Sequence, residues 1–270
     1  MDRVVRLMNS PMPVRNMLRT WIRQLGLGSY AFRRSIGAVD RPHYSYLVFH
    51  AAQLARRLGI PQISVIEYGV AGGQGLLSLE HHASEVERLF GVTIDVYGFD
   101  TGAGLPKPID HRDLPYHWKE GFFAMNPERQ RERLRRARLV LGDIGETSRT
   151  FFQQYRPAPI GAIIHDFDYY SSTRVALTML HAGHEFYLPR ILAYFDDTIG
   201  GELELYNDYT GERLAIREFN AANDDIKLCA AYHLVRDRPE VWHHQIWTGH
   251  FFKHPRYSSF ASDENQQLTI

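Results

Sequence analysis

The chain has 270 residues, 44% of them hydrophobic, and its 31 lysines and arginines balance 31 aspartates and glutamates. This length suits one α/β domain with elaborations, and zero formal charge argues against a broad nucleic-acid or membrane surface. A single cysteine, Cys229, excludes an internal disulfide framework and fits a reducing compartment, so we expect a cytoplasmic protein. We expect no transmembrane segment and no signal peptide, because no apolar run is long enough for either.

Residues 1–60 are predicted to form a helical cap. Several apolar residues fall on one helical face, with arginines on the other: Met8, Val14, Met17, Leu18, Trp21 and Ile22. Such a helix either lies on a membrane surface or, as we favour, packs on its own domain or a second subunit. A homodimer through these N-terminal helices is therefore possible. A second helix is predicted over 43–58, ended by Gly59 and Pro61.

The stretch 63–75 predicts a strand, a glycine-rich turn and a helix, which is the opening unit of a nucleotide-cofactor fold. The apolar run Ile63–Ile66 is typical of a buried strand, and a helical pattern covers 73–90. A dinucleotide fingerprint would require a third glycine at position 78, which is Ser78. The observed spacing of an acid and three glycines instead resembles the first motif of class I S-adenosylmethionine (SAM) methyltransferases: Glu67, Gly69, Gly73 and Gly75. In that family the turn holds the methionine end of SAM; the alternative is an ordinary tight turn.

Two further predicted strands end in acids. The strand 93–100 ends at Asp100, followed by Thr101, and an acid here favours contact with the ribose hydroxyls of a cofactor. The alternative for Asp100 is a plain turn aspartate. The strand 139–143 ends at Asp143, and the resemblance implies a contact with the adenine amino group. The alternative for Asp143 is an N-cap of the next helix.

The segment between these strands is less regular. Residues 101–127 form a long loop rich in aromatic side chains, which either flank an organic substrate or pin the loop onto the domain. Residues 127–138 alternate arginine with glutamate, and we interpret them as a solvated helix face rather than a phosphate site.

Paired acids follow two strands that we expect to be neighbours. The strand 160–168 ends in His165, Asp166 and Asp168, and the strand 191–195 is followed by Asp196 and Asp197. Carboxylates gathered at one sheet edge repel each other, and a divalent cation such as Mg²⁺ removes that repulsion. The alternative is a set of N-caps and surface turns.

These acid pairs, together with residues 98–106, resemble the macrocin/novobiocin-type O-methyltransferases, which are Mg-dependent enzymes that methylate sugar hydroxyls. The resemblance covers about residues 60–200. It implies metal ligation by Asp168, Asp196 and Asp197, with Asp166 as the general base and His165 as a second candidate. Phe167 departs from the family pattern, which has glycine between the two acids, and residues 200–211 are longer than expected.

The C-terminal part predicts a helix over 212–222 and an antiparallel strand pair over 226–235 and 243–252. The clustered histidines His243, His244, His250 and His254 are expected to be packing or surface residues. The predicted fold is a Rossmann-like, doubly wound, mostly parallel seven-stranded sheet with an antiparallel C-terminal strand. Its domain spans 61–256, and 257–270 is predicted to be a flexible tail.

The predicted function is a SAM-dependent O-methyltransferase acting on a small polyhydroxylated or catechol-like acceptor, assisted by a divalent metal. One alternative is an NAD-type oxidoreductase on the same fold. The other is a non-catalytic binding module that retains the fold.

Overall fold

Seven strands form one sheet in the order β3-β2-β1-β4-β5-β7-β6 in this computed structural model, which describes residues 13–235 and 240–262. The strands are β1 (Gln62–Tyr68), β2 (Thr93–Asp100), β3 (Arg138–Leu141), β4 (Ile160–His165), β5 (Tyr187–Phe195), β6 (Ile226–Ala230) and β7 (Ile246–Phe251). Strands β1 to β5 pair in parallel, and β7 pairs antiparallel with both β5 and β6. The predicted doubly wound sheet with an antiparallel C-terminal part is confirmed.

Within the described residues, three helices precede β1 and one lies on each connection from β1 to β6. They are α1 (Pro13–Gln24), α2 (Tyr30–Ser35), α3 (Pro42–Arg57), α4 (Gln74–Phe90), α5 (Pro127–Arg133), α6 (Ile144–Tyr155), α7 (Tyr170–Thr178) and α8 (Gly211–Ala222). None of the helices within the described residues has the length and apolar character needed to cross a membrane.

Several element boundaries differ from the prediction. Helix α5 ends at Arg133 instead of continuing to 138, because the buried Glu80 carboxylate accepts the backbone N–H groups of Arg135, Arg136 and Ala137. Those amides are therefore not available to a helix. The guanidinium of Arg136 also pairs with Glu87, so the basic segment is partly structural rather than wholly solvated.

Strands near the site also begin and end differently from the prediction. Strand β4 ends at His165, so Asp166 and Asp168 lie in the following loop. Strand β5 begins at Tyr187 rather than at 191, because residues 187–189 are already buried against β4. Strand β6 ends at Ala230, and residues 241–245 form a 3-10 turn rather than the start of β7.

The N-terminal helices do not behave alike. Helix α3 is built into the core through side chains that face the sheet and α4: Tyr44, Leu47, Val48, Ala51, Ala52 and Ala55. Helix α1 instead turns its arginines inward, with Arg15 and Arg19 paired to Glu240. Its apolar residues Val14, Leu18 and Trp21 are 65%, 50% and 54% exposed. Within the described residues, the expected burial of this apolar face is not found. Met8 lies outside the described residues.

The C-terminal segment is only partly a free tail. The backbone carbonyl of Tyr257 accepts a hydrogen bond from Arg190, and its hydroxyl lies 2.9 Å from His250 Nδ1. Of the predicted tail, residues 263–270 lie outside the described residues.

Candidate active site

One cavity of about 410 Å³ opens at the carboxyl ends of the parallel strands. Its walls come from the loops that follow β1, β2, β3, β4 and β5: Gly69, Ala71, Asp100, Thr101, Gly142, Asp143, Asp166, Asp168, Asp196 and Asp197. In an open α/β sheet a crevice forms at this edge where the strand order reverses, because the loops on either side of that point diverge. The topology therefore brings five separated stretches of sequence to one site.

The glycine turn approaches the rest of the site too closely for any side chain. A Cβ on Gly69 would lie 1.8 Å from the carbonyl oxygen of Asp166, so the turn after β1 passes directly against the segment after β4. A Cβ on Gly75 would lie 1.9 Å from Oε1 of Glu67. The remaining glycine of the motif, Gly73, is covered by the buried side chain of Gln130.

The acid of this motif lies beneath the turn rather than in the cavity wall. The Tyr44 hydroxyl donates to Glu67 Oε1 at 2.6 Å, while Oε2 is buried without a partner. Burial raises the pKa of Glu67 to about 8. Of the four residues of this motif, Gly69 lines the cavity, whereas Glu67, Gly73 and Gly75 shape the turn from behind.

Asp100 ties the glycine turn to β2. Its Oδ2 accepts the backbone N–H groups of Val70 and Ala71, both at 2.9 Å, and its Oδ1 accepts that of Gly102 at 2.6 Å. The carboxylate thus holds both loops while lining the cavity, next to Thr101. Two lone pairs on each oxygen leave room for a further donor, so a ribose contact stays a prediction.

Asp143 is the N-cap of α6, as the alternative interpretation proposed. Its Oδ1 accepts the backbone N–H of Gly145 at 2.7 Å. The same carboxylate is exposed in the cavity wall, where Phe99 and Ile144 form an apolar surface beside it. The adenine contact stays a prediction, and this wall has the apolar and acceptor character that it requires.

Three carboxylates meet at the other end of the cavity. Asp166, Asp196 and Asp197 each offer an oxygen, and these oxygens all lie within 4.8 Å of one another. Asp197 Oδ1 accepts from the Tyr206 hydroxyl at 2.5 Å, and its Oδ2 accepts from the backbone N–H of Asp168 at 3.0 Å. Asp196 accepts from the Tyr194 hydroxyl. Within the described residues, the hydrogen-bond donors to the carboxylates of Asp196 and Asp197 are therefore hydroxyl and amide groups.

The pKa values of this cluster show the strain of bringing the acids together. Burial, reinforced by Asp196, Asp197 and Asp168, raises the pKa of Asp166 well above its ordinary value. Burial also raises the pKa of Asp168 to about 9 and that of Asp197 to about 7, with neighbouring carboxylates adding to both shifts. Such shifts mean that ionising the cluster is unfavourable unless a cation is present.

Further acid lies behind the cluster. The side chain of Glu212, in the first turn of α8, is fully buried and accepts the backbone N–H of Asp197 at 2.9 Å. Its other oxygen has no partner, and burial raises its pKa well above the ordinary value. Nothing in the sequence signalled this residue, because its contact with Asp197 depends on how α8 packs.

The three acids that lie together are not the three that the resemblance implied as metal ligands. Asp166, rather than Asp168, is the acid whose oxygen joins those of Asp196 and Asp197. Asp168 lines the cavity beside them, with a backbone φ of 60° that is unusual for a residue other than glycine. Its N–H bond to Asp197 accompanies this conformation.

His165, the second candidate base, lies in the core. Its ring stacks on Phe195 with centroids 4.2 Å apart, and Tyr68 packs nearby. Burial lowers the pKa of His165 to about 3, so its ring is neutral, and it is absent from the cavity wall formed by the described residues. The histidine therefore fills the layer below Asp166.

Two loops close the remaining side of the cavity. The loop after β2 contributes Trp118 and Phe123, and the segment after β5 contributes Glu204 and Tyr206. The buried Asp113 anchors the first loop by accepting from the backbone N–H of Ser171 at 2.8 Å. Trp118 and Phe123 therefore lie where they could flank an organic substrate, and that role stays a prediction. The roles of Glu204 and Tyr206 had no sequence signal beyond the length of the segment.

Comparison with known proteins gives matches only among solved structures. No protein-family model and no curated protein matches the chain. The structure of CalS11, a calicheamicin methyltransferase, is 20% identical over 92% of this chain and 89% of that one, with a TM-score of 0.54. The structure of the O-methyltransferase NovP is 15% identical over 77% and 78%, with a TM-score of 0.51. The expected resemblance to these O-methyltransferases is thus confirmed at the level of the fold.

Proposed function

We propose that this chain is a SAM-dependent O-methyltransferase that methylates a hydroxyl of a small polyhydroxylated or catechol-like acceptor with the help of a divalent cation. The observation that carries the proposal is that one cavity joins the glycine turn at one end to the acid cluster at the other. A methyl donor and a metal-held acceptor require this adjacency, since the reacting groups must be brought into line. The shared fold of CalS11 and NovP supports the same assignment.

The donor end fits SAM. The backbone of Gly69 and Ala71 reaches the cavity, and Asp100 and Asp143 provide acceptors at the ends of the adjacent strands. The apolar wall of Phe99 and Ile144 suits the face of an adenine ring. We assign the methionine end to the turn, the ribose to Asp100 with Thr101, and the adenine amino group to Asp143.

The acceptor end fits a divalent cation. Three carboxylate oxygens within 4.8 Å of one another are a donor set that Mg²⁺ prefers, and their raised pKa values in the protein alone show what the cation would relieve. We assign Asp166, Asp196 and Asp197 as the ligands. This replaces Asp168 by Asp166 in the ligand set inferred from the resemblance.

The mechanism follows from what these side chains can do. When bound, SAM supplies a methyl group on a positively charged sulfur, and a divalent cation supplies Lewis-acid stabilisation of the acceptor oxygen. A cation held by Asp166, Asp196 and Asp197 would favour the ionised form of Asp168, which lies next to them in the cavity wall. Asp168 would then take the proton of the acceptor hydroxyl as that oxygen receives the methyl group, with S-adenosylhomocysteine as the leaving group. This exchanges the roles that the resemblance implied for Asp166 and Asp168. Trp118, Phe123 and Tyr206 enclose the acceptor and exclude water. His165 has no assigned role in proton transfer.

The rival functions are less well supported. A nicotinamide oxidoreductase would use a complete dinucleotide fingerprint, and the antiparallel strand β7 between β5 and β6 departs from the strand order of that fold. A non-catalytic module gives no reason for three mutually repelling carboxylates in a cavity wall.

Calorimetry on the purified protein tests the proposal. We expect SAM and S-adenosylhomocysteine to bind in the micromolar range, and we expect Mg²⁺ to be needed for turnover of sugar or catechol acceptors. Binding of NAD by a folded protein that binds neither SAM nor S-adenosylhomocysteine would contradict the proposal. SAM binding without turnover of any acceptor, with or without Mg²⁺, would favour the binding module.

A further inference from the structure

The cavity wall carries a strong and one-sided charge. Seven of the side chains that line it are acids: Asp100, Asp143, Asp166, Asp168, Asp196, Asp197 and Glu204. Within residues 13–235 and 240–262, no lysine, arginine or histidine side chain lines it. A low-dielectric cleft lined by one sign of charge concentrates ligands of the opposite sign. Even when a divalent cation offsets two of these charges, the wall keeps an excess of carboxylates, which disfavours acceptors that carry phosphate or carboxylate groups.

Most of these acids already have a partner or an assigned use. Asp100 and Asp143 accept backbone N–H groups at the donor end. Asp166, Asp196 and Asp197 form the cluster that fits a divalent cation. Asp168 lies beside that cluster. Glu204 remains as the acid without such a role.

Glu204 is held at the rim of the cavity by the opposite loop. The Tyr116 hydroxyl donates to the backbone carbonyl of Glu204 at 2.7 Å, and His117 Nε2 lies 3.8 Å from Oε1. The Glu204 side chain is only 24% exposed. The carboxylate is thus positioned by neighbouring groups, and its contact with His117 is an ion pair only when that imidazole is protonated.

Two aromatic rings share this side of the cavity. Trp118 and Phe123 both line it, with centroids 5.8 Å apart and ring planes at 63°. Aromatic faces beside a carboxylate form the surroundings that attract a protonated amine, through cation–π and Coulomb interactions. An uncharged sugar or phenol could pack on the same rings, but only a cation would also gain Coulomb attraction from Glu204.

We propose that the methyl acceptor carries a protonated amine, as an amino sugar or an arylalkylamine does, and that Glu204, Trp118 and Phe123 bind this group. This inference rests on the proposed methyltransferase function. The hydroxyl to be methylated lies toward Asp166, Asp196 and Asp197, and the amine lies toward the rim. The two ends of the acceptor thus meet different acids of the same cavity.

Three catechols that differ only at the end of a two-carbon arm test this inference: dopamine, ethylcatechol and dihydrocaffeate. Binding of each is measured by calorimetry on the full chain loaded with S-adenosylhomocysteine and Mg²⁺. We expect dopamine to bind about tenfold more tightly than ethylcatechol, and dihydrocaffeate to bind more weakly than either. Glu204→Gln should reduce the preference for dopamine about fivefold, while affinity for S-adenosylhomocysteine is unchanged.

The control is Glu202→Gln, because Glu202 is exposed in the same segment and lies outside the cavity wall. Equal affinities for dopamine and ethylcatechol, or no detectable dopamine binding, would overturn the inference even if S-adenosylhomocysteine binds. An unchanged preference in Glu204→Gln would overturn the role of Glu204. Failure of S-adenosylhomocysteine itself to bind would remove the proposed function, which distinguishes the two failures.

Discussion

The two ends of the cavity hold aspartates in opposite surroundings. At the donor end, Asp100 accepts three backbone N–H groups and Asp143 accepts one as a helix N-cap. At the acceptor end, Asp166, Asp196 and Asp197 face one another, and the pKa values of Asp166 and Asp197 are raised. The donor-end acids are stabilised by the chain itself. The acceptor-end acids repel one another, so their ionised forms become favourable only when a cation is bound.

This difference teaches how the same residue type serves structure at one site and chemistry at another. A carboxylate that accepts several amide donors is favoured in its charged form. A carboxylate that is buried beside others is disfavoured in its charged form. A bound cation relieves this repulsion, so the cluster favours cation binding. Substitutions at the two ends should therefore have effects of opposite sign on the stability of the metal-free protein.

The largest effect is expected at the acceptor end. Asp166→Asn removes one charge from the cluster and keeps its shape, so turnover should fall by about 10²–10³-fold. The metal-free protein should be as stable as the wild type or more stable by about 1 kcal/mol, and the rise of Tm caused by Mg²⁺ should disappear. Turnover assays and thermal melts with and without Mg²⁺ measure these quantities.

Asp224→Asn is the matched control, since Asp224 is fully exposed in a surface ion pair with Lys227. It should change neither turnover nor the Mg²⁺ response. Wild-type turnover in Asp166→Asn would contradict the catalytic role proposed for the acceptor-end acids.

The donor end should respond in the opposite direction. Asp100→Ala leaves three backbone N–H groups without their acceptor, so unfolding free energy should fall by about 3 kcal/mol in denaturant titrations. Asp95→Ala on the same strand removes an exposed hydrogen bond from Gln62 and should cost less than about 1 kcal/mol. Equal losses in the two variants would show that Asp100 does not hold the turn.

A smaller effect tests whether Glu67 supports the turn from behind. The added methyl group of Gly75→Ala would meet Glu67 Oε1 and the Tyr44 hydroxyl, so stability should fall by about 2 kcal/mol. Gly72→Ala is the control, because a Cβ there has no atom within 4 Å. It should change stability by less than about 0.5 kcal/mol. SAM affinity should fall in the first variant and not in the second.

The smallest effect is a pH dependence that belongs to the acceptor end. The folded-state pKa values of Asp197, about 7, and Asp168, about 9, lie above the ordinary carboxyl value of about 4. The native state therefore binds more protons than the unfolded chain from pH ~4 up to these values. Their contribution to stability is complete below pH ~4 and is lost as pH rises through about 7 to 9. The metal-free protein should therefore lose on the order of 1 kcal/mol per pH unit across this window.

Saturating Mg²⁺ should reduce that loss, because the cation favours the ionised carboxylates. Denaturant titrations between pH 5 and 9, with Mg²⁺ or with a chelator, measure the difference. A loss of the same size in Asp166→Asn, with and without Mg²⁺, would assign the pH dependence to other groups such as Glu67, whose pKa is about 8.

Much of the fold was predictable from local pattern. The apolar run at 63–66 predicted the centre of β1, and the helical periodicity after it predicted α4 to within one residue. Strand β2 was predicted over its full length. Boundaries failed where a distant side chain took over backbone groups, as Glu80 does at 135–137. The predicted burial of the apolar face of α1 was wrong for a related reason. Glu240, which is distant in the sequence, pairs with Arg15 and Arg19 on the opposite face.

The sequence by itself determined which acids follow which strands, because apolar runs that end in polar turns are a local property of the chain. It also determined the glycine turn, since only glycine tolerates the contacts made by Gly69 and Gly75. Only the tertiary structure decided that Asp166 joins Asp196 and Asp197 while Asp168 stands beside them, and that His165 turns into the core. The physical reason is that side-chain direction after a strand depends on the loop φ/ψ angles and on packing against other strands. Those quantities are set by residues far away in the sequence.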